Sequence, residues 1–379
     1  MNTYRIPFNR PTIVGDEAAY LADAIQKRHL SGDGPYTQKC RMLLQEVLGL
    51  QAALLTTSCT HALELAAILL NIQPGDEVII PSFTFVSTAN SFALRGAKPV
   101  FVDVRPDTLN IDETQIERLI TPRTRAVVPV HYAGIAAEMD TILDIAGRNE
   151  LSVVEDAAHG LFGKYRDRWL GTLGTMSAQS FHETKNFTCG EGGALLINDA
   201  DYVERAEIIR EKGTNRSRFF RGEVDRYTWV DLGSSYLPSD LLAAFLFAQL
   251  QAREAIQAKR RRLWDAYYTQ LATWAAANDI SLPTVPAHCT PSYHLFYMVL
   301  PTGESRARFI GFLKSRGIHA TFHYLPLHLS DMGLHFGSQV GDCPVTETIC
   351  DRLVRLPFFT DITPAERDEV ISAVLEFAV

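Results

Sequence analysis

Residues 180–193 read SFHETKNFTCGEGG and place Lys185 between an apolar run and a glycine-rich turn. The apolar run, residues 176–181, is typical of a short buried strand. A lysine that follows such a strand is partly desolvated, which lowers its pKa and leaves a neutral amine able to form a Schiff base with an aldehyde. Most lysines are solvated surface charges, so Lys185 indicates a Schiff-base site only if other motifs support it.

A carboxylate follows the strand-like stretch that precedes this segment. Residues 153–159 read VVEDAAH, in which β-branched residues lead to Asp156 and then to His159. A carboxylate beside a pyridinium nitrogen stabilises the protonated ring by roughly 4 kcal/mol before desolvation is counted. From the residues alone, Asp156 could equally be a helix cap, and His159 a core or surface residue.

A phosphate site is predicted at Ser58-Cys59-Thr60, between a strand-like and a helix-like stretch. The first turn of a helix presents unpaired N–H groups and the positive end of its dipole to an anion. The alternative is that Ser58 or Thr60 is only an N-cap. Ser180 could add a hydroxyl to the same phosphate. An amine, a carboxylate and a phosphate site are together the protein groups that pyridoxal 5'-phosphate (PLP) needs.

Two aromatic residues occur in residues 81–88, PSFTFVST, at the end of another predicted strand. One of them could stack on a pyridine ring, although buried aromatics are more often core residues. This motif therefore supports the cofactor interpretation without carrying it.

Composition limits the class of protein. The chain has 379 residues, 46% of them hydrophobic, which predicts a large core and two domains. A net charge of −8 argues against a nucleic-acid partner. No apolar run is long enough for a membrane span, and residues 1–7 lack the apolar core of a signal peptide. Six cysteines without CxxC spacing predict reduced thiols, no bound metal and a cytoplasmic location.

Residues 40–200 alternate apolar strand-like runs with amphipathic helical stretches. This rhythm predicts an α/β fold with a mainly parallel sheet covered by helices on both faces. The predicted strands are 53–56, 77–80, 99–104, 126–130 and 151–155, and the predicted helices are 61–70, 85–94, 112–120 and 139–148. Ligands bind beyond the carboxyl ends of such strands. Thr57, His131 and Asp156 follow strand ends, so we expect them to share one crevice.

The pattern changes after residue 240. One long helical stretch, 240–271, is predicted to link two domains. Strands at 293–300 and 319–324 and helices at 306–316 and 364–377 predict a smaller α+β domain. We therefore expect a large cofactor-binding domain at 1–250, with an N-terminal arm at 1–14, and a small domain at 251–379.

These motifs resemble those of the DegT-type sugar-nucleotide aminotransferases, a branch of the fold-type I PLP-dependent transferases. The resemblance rests on residues 57–60, 81–88, 153–159 and 180–193 and extends over nearly the whole chain. It implies a PLP-dependent enzyme that moves an amino group from L-glutamate to the C4 keto group of a dTDP-4-keto-6-deoxyhexose. It also implies a homodimer with active sites at the subunit interface.

Individual roles follow from the same resemblance. It implies that Lys185 is the Schiff-base lysine and that Asp156 lies at the pyridine nitrogen. His159 falls where the family more often has a glutamine beside the phenolic oxygen. Phe85 matches the aromatic residue that stacks on the cofactor ring.

The resemblance also assigns the phosphate ligands. Thr60 and Ser180 match hydroxyl ligands, and the backbone of Cys59 lies beside them. In relatives, a loop reading Gly-Tyr-Asn-Tyr-Arg-Met reaches the phosphate of the neighbouring subunit's cofactor through its asparagine. This chain reads GSSYLP at 233–238, so Ser235 is the residue that would take that role.

Other functions remain open at this point. A 3-aminotransferase or a transaminase for another keto sugar nucleotide would carry the same residues. A PLP-dependent sugar dehydratase of this scaffold would have histidine in place of Lys185. A PLP-sensing regulator would need a helix-turn-helix domain before the first predicted helix, 16–28. The cations of residues 210–221 form either a solvated surface loop or a loop at the mouth of the site that binds the diphosphate through Arg218. The interleaved Phe219 and Phe220 favour the second interpretation.

Overall fold

The structure is a computed structural model and describes residues 4–379. Its strands are β1 (Ala52–Thr56), β2 (Glu77–Pro81), β3 (Lys98–Val102), β4 (Thr124–Val127), β5 (Ser152–Asp156), β6 (Lys164–Tyr165), β7 (Arg168–Trp169), β8 (Met176–Ser180), β9 (Gly193–Ile197), β10 (Cys289–Thr290), β11 (Tyr297–Val299) and β12 (Leu353–Arg355). Its α-helices are α1 (Glu17–Gln26), α2 (Pro35–Leu48), α3 (Cys59–Leu69), α4 (Val86–Ala93), α5 (Met139–Arg148), α6 (Val203–Arg210), α7 (Arg216–Phe220), α8 (Asp240–Gln251), α9 (Arg253–Ala277), α10 (Gly303–Ser315), α11 (Asp331–His335), α12 (Pro344–Arg352) and α13 (Pro364–Leu375).

The main sheet has the strand order β3-β2-β4-β5-β8-β9-β1. Strands β3, β2, β4, β5 and β8 pair in parallel, and β9 runs antiparallel to both of its neighbours. The carboxyl ends of β1, β5 and β8 therefore lie at the same edge of the sheet as the first residue of β9. The predicted mainly parallel α/β sheet is confirmed.

Helices cover both faces of this sheet because its central strands are apolar on both sides. Leu54 of β1 belongs to the core cluster that contains α3, whereas Ala53 and Leu55 pack with α2 and α8 on the opposite face. Side chains alternate across a strand, so three consecutive apolar residues of β1 supply both cores. Such a buried sheet holds the residues at its edge rigidly in place.

The C-terminal part of the chain has its own core. Apart from Ile6, this cluster consists of residues between 263 and 377, from α9, α10, α13, β11 and β12. Ile6 joins it because the N-terminal segment pairs with Ile318 and donates its amide to the carbonyl of Gly317 at 3.0 Å. The predicted domain boundary, residue 250, lies next to Ala252, where α8 ends and α9 begins.

Several predicted elements differ from the structure. The long helix 240–271 is two helices, because α8 packs in the large core and α9 in the C-terminal one. The helix predicted at 112–120 is two short 3-10 turns, although Asp112 caps its start as expected. The strand predicted at 319–324 is wrong: only Thr321 forms a bridge, with Arg355, so this segment lacks a strand partner along its length. None of the helices within residues 4–379 has both the length and the apolar character that a membrane crossing requires.

A buried, hydrogen-bonded carboxylate fixes the end of β5. Glu155 accepts a hydrogen bond from His131 Nε2 at 2.8 Å and three more from the backbone amides of Gly171, Leu173 and Gly174 at 2.7–2.8 Å. Burial alone would raise the pKa of Glu155, but these hydrogen bonds hold it below its ordinary value of 4.5. The carboxylate thus ties the 171–174 turn to the strand that carries Asp156.

Replacing this carboxylate tests its contribution to stability. Glu155→Gln places an amide group against N–H donors, so we expect the free energy of unfolding of the cofactor-free protein to fall by about 3 kcal/mol. The matched control is Glu117→Gln, which removes an exposed ion pair with Arg148 and should cost less than about 1 kcal/mol. Guanidinium titration measures both.

The pH dependence of the free energy of unfolding provides a second measurement on the same variants. The folded-state pKa of Glu155 is the depressed one, so its contribution is present above pH 4.5 and is lost as the pH falls further. Equal losses in the two variants at neutral pH would contradict the assigned role of Glu155.

Candidate active site

A cavity of about 500 Å³ opens at the carboxyl edge of the sheet. Seven of the eight residues predicted from the sequence line it: Cys59, Thr60, Phe85, Asp156, His159, Ser180 and Lys185. Ser235 does not line it; this residue is exposed and forms a bridge with Glu211. Residues from the N-terminal arm and from the C-terminal part of the chain complete the wall.

The predicted phosphate site is the first turn of α3. Ser58 is the N-cap and accepts a hydrogen bond from His61 N at 3.1 Å, as the capping interpretation predicted. Cys59 and Thr60 follow as the first helical residues, whose amides have no acceptor inside the helix. Thr60 Oγ1 lies 2.7 Å from Ser87 Oγ, which adds a second hydroxyl at the cavity wall. Capping and anion binding are therefore compatible here.

Gly193 lets β9 approach this turn closely. A Cβ at this position would lie 2.3 Å from the carbonyl carbon of Ser58 and 2.4 Å from the amide nitrogen of Cys59. Register pairs Gly193 with both Thr56 and Ser180, so the glycine brings the loop after β1 against the end of β8. The GEGG turn predicted from the sequence thus serves to assemble the phosphate side of the cavity.

Lys185 lines the cavity and is partly buried. Burial lowers the pKa of its ammonium group to about 8, and the nearby Cys59 and Asp156 partly oppose this shift. Its amide donates to His182 O at 2.9 Å, so a tight turn after β8 holds the residue. Near neutral pH a usable fraction of this amine is unprotonated, which is what attack on an aldehyde requires.

Asp156 is the last residue of β5 and is 5% exposed. Its Oδ2 accepts a hydrogen bond from Thr88 Oγ1 at 2.7 Å, and Oδ1 accepts one from Ala158 N at 3.2 Å. Thr88 in turn lies 2.8 Å from Thr84 Oγ1. The contact with Ala158 N belongs to a turn, because no helix begins after β5, so the helix-cap alternative is wrong. Asp156 lines the cavity.

His159 stacks on another histidine in the cavity wall. Its ring lies 4.1 Å from that of His294, and His323 follows at 6.1 Å on the other side. Burial lowers the pKa of His159 well below 6.5, with further lowering from the charges of Lys185 and Arg355, so the ring is neutral. Its Nδ1 is buried without a hydrogen-bond partner among residues 4–379. A polar atom of a ligand or an ordered water in the cavity would satisfy this nitrogen.

Two expectations from the sequence fail. His131 does not share the crevice, because it is buried behind β5 in its pair with Glu155, and Thr57 bonds to His61 instead of lining the cavity. The cationic segment 210–221 does not line the cavity either. Its charges are paired with acids: Arg218 contacts Glu204 and Glu223 at 2.9 and 3.2 Å.

Several residues of the wall were not predicted. Thr88 stood within the PSFTFVST motif and could have been found, because a hydroxyl near a strand end is a natural partner for Asp156. His294, His323, Tyr324 and Arg355 also line the cavity. No spacing in the sequence connects them with Lys185, since they come from the C-terminal part of the chain.

The residues present fit the predicted cofactor. An anion site at a helix start, a carboxylate, a lysine of lowered pKa and an unsatisfied imidazole nitrogen surround one cavity. Phe85 is 57% exposed at this wall, where an aromatic face is free for stacking. PLP carries a phosphate, a ring nitrogen, an aldehyde and a phenolic oxygen, one group for each of these features.

Comparisons with known proteins agree with this site. A model of the DegT/DnrJ/EryC1/StrS aminotransferase family matches residues 11–375. The uncharacterised protein MJ1066 of Methanocaldococcus jannaschii is 34% identical over 376 residues, which are 97% of this chain and 96% of the relative. The aminotransferase TlmJ of Streptoalloteichus hindustanus has a similar structure, with a TM-score of 0.89 and 30% identity over 97% of each chain.

A further solved structure concerns the cofactor. Spr1654 of Streptococcus pneumoniae, proposed to be a sugar aminotransferase, is 25% identical, with a TM-score of 0.89 and coverage of 97% of each chain, in its PLP form. With the family match, this identifies PLP as the cofactor and confirms the fold-type I class.

The titration of Lys185 can be measured directly. We expect the rate at which cofactor-free protein takes up PLP, followed by absorbance, to rise with a midpoint near pH 8. Asp156 holds this pKa up, so Asp156→Asn should move the midpoint to lower pH. Asp201→Asn, an exposed acid outside the cavity, is the control and should leave the midpoint unchanged. A wild-type midpoint near 10.5, or an upward shift in Asp156→Asn, would rule out the assigned environment.

Proposed function

The chain belongs to the DegT/DnrJ/EryC1/StrS aminotransferase family, and from this premise we propose its substrates. It is a PLP-dependent sugar aminotransferase that takes an amino group from L-glutamate. The acceptor is the C4 keto group of a dTDP-4-keto-6-deoxyhexose, and the product is a dTDP-4-amino-4,6-dideoxy sugar. Residues 81–93, 102–107, 128–134 and 181–186 resemble stretches of dTDP-4-amino-4,6-dideoxygalactose transaminase, which supports this substrate.

One observation carries the proposal: Lys185, with a pKa near 8, and Asp156 line the same cavity. A lysine at this position supports amino transfer, since the related dehydratases have a histidine there. An amine and a carboxylate at opposite ends of a pyridine ring are what transamination needs from the protein. The remaining residues of the cavity would bind the cofactor and orient it.

The chain's own groups would hold the cofactor at four places. Thr60, Ser180 and the amides at the start of α3 would bind the phosphate, and the positive end of the helix dipole favours that anion. Asp156, oriented by Thr88, would keep the ring nitrogen protonated. His159 Nδ1 would bond the phenolic oxygen, and Phe85 would cover one face of the ring. When bound to Lys185, PLP supplies an electron sink for the carbon that loses a proton.

Lys185 would also move the proton. An amine with a pKa close to the working pH is an efficient general base, because it is both sufficiently unprotonated and sufficiently basic. Its Nζ takes the proton from Cα of the amino donor in the first half-reaction. In the second half-reaction the same nitrogen delivers a proton to the sugar carbon that receives the amine. The neutral histidines beside it keep further positive charge out of the site.

Ser235 supports a homodimer in this proposal. It is exposed and lies outside the cavity of its own chain, so it is free to reach the cofactor phosphate of a second protomer. A cytoplasmic location agrees with the six cysteines, all of which are free thiols.

The acceptor is tested by the product. Wild-type enzyme incubated with PLP, L-glutamate and dTDP-4-keto-6-deoxyglucose should yield a 4-amino-4,6-dideoxy sugar nucleotide, identified by NMR. Lys185→Ala should yield none, because both the covalent link and the base are lost, and Asp156→Asn should be slower by more than tenfold, about 1.4 kcal/mol. Amination of a 3-keto sugar nucleotide in preference to the 4-keto compound would replace this proposal with the 3-aminotransferase alternative.

A further inference from the structure

One arginine contributes to the cavity wall. Arg355 is the last residue of β12, and its backbone is fixed by two hydrogen bonds with Thr321, at 2.7 and 3.1 Å. Lys185 is the only other lysine or arginine among the described residues that line the cavity. Burial lowers the pKa of Arg355, yet a guanidinium remains charged at any physiological pH.

The guanidinium group is held on two sides. Its Nε and Nη2 donate to the carbonyl oxygen of Phe322 at 3.3 and 3.0 Å. The ring of Phe8, in the N-terminal arm, lies 4.5 Å from the guanidinium carbon. Phe8 itself is anchored because its carbonyl accepts the amide of Phe358 at 3.1 Å. The carbonyl of Phe322 and the ring of Phe8 both orient the guanidinium group, and neither neutralises its charge.

Arg355 has no carboxylate within ion-pair distance in the part of the chain that the structure describes. Other arginines differ in this respect. Arg210 is buried and pairs with Asp33 at 2.6 Å, while Arg218 and Arg221 pair with Glu223 on the surface. In Arg355, Nη2 donates to Phe322 O, whereas Nη1 is not enclosed by residues 4–379, and the residue lines the cavity. A ligand in the cavity can therefore reach the guanidinium group.

The charge and the location select the ligand. We propose that Arg355 binds a carboxylate of the amino donor by a charge-assisted, fork-shaped pair of hydrogen bonds. This rests on the proposed function, in which L-glutamate supplies the nitrogen. The α-carboxylate is attached to the reacting carbon, whereas the diphosphate of a sugar nucleotide is separated from C4 by the hexose ring. Arg355 lines the same cavity as Lys185, His159 and His323, so it faces the space that holds the reacting groups.

Binding of a non-reactive dicarboxylate tests this assignment without turnover. In calorimetric titrations of the PLP-loaded enzyme with glutarate, Arg355→Met should weaken affinity at least tenfold. Arg355→Lys should recover part of it, because a lysine keeps the charge without the fork. The control is Arg352→Met, a nearby arginine at the end of α12 that does not line the cavity, with wild-type affinity expected.

The two half-reactions then separate donor from acceptor. Arg355→Met should raise KM for L-glutamate at least tenfold while the amino-loaded enzyme, prepared with pyridoxamine phosphate, still reacts with the keto sugar nucleotide within threefold of wild type. Unchanged glutarate affinity would overturn the assignment. So would equal or greater damage to the sugar half-reaction, which would place the diphosphate at Arg355. If the wild type made no amino sugar but glutarate binding still depended on Arg355, only the proposed acceptor would fail.

Discussion

The burial of Lys185 at the carboxyl edge of the sheet is the constraint on which the rest of the site depends. An ammonium group in that position loses its hydration, and its pKa falls to about 8. The amine stays partly unprotonated only if neighbouring groups do not raise this pKa again. Burial lowers the pKa of His159, His294 and His323 well below 6.5, so these wall residues are neutral, and burial raises the pKa of the Cys59 thiol. Asp156 is the buried carboxylate whose charge acts on Lys185. Desolvation thus leaves a larger fraction of Lys185 unprotonated and able to react with an aldehyde.

That position is produced by the sheet. Parallel strands bring the ends of β5 and β8 together, the antiparallel β9 returns Gly193 between β1 and β8, and Glu155 locks the turn behind Asp156. Strands buried on both faces tolerate little movement, since close-packed cores transmit strain. The predicted phosphate site at the start of α3 and the carboxylate of Asp156 directly follow strands of this sheet, and the tight turn after β8 holds the amine of Lys185.

The sequence predicted this half of the site well, because each residue follows a strand and strand ends in a parallel sheet converge. Asp156, Thr60 and Lys185 needed only that rule and the chemistry of their side chains. His294, His323 and Arg355 could not be found, since their place in the wall depends on how the C-terminal part packs against the sheet. The prediction for residues 210–221 was wrong for the same reason. The sequence shows an excess of cations there, but it does not show that acids of α6 and Glu223 lie close enough to pair with them.

Covalent attachment of the cofactor is the central claim, and peptide mapping tests it most directly. The PLP-loaded enzyme would be reduced with borohydride, digested, and analysed by mass spectrometry for a lysine carrying the reduced cofactor. The account predicts the label on Lys185, in a peptide that contains residues 180–193. A label on any other lysine, or no label in enzyme that still transfers amino groups, would contradict it.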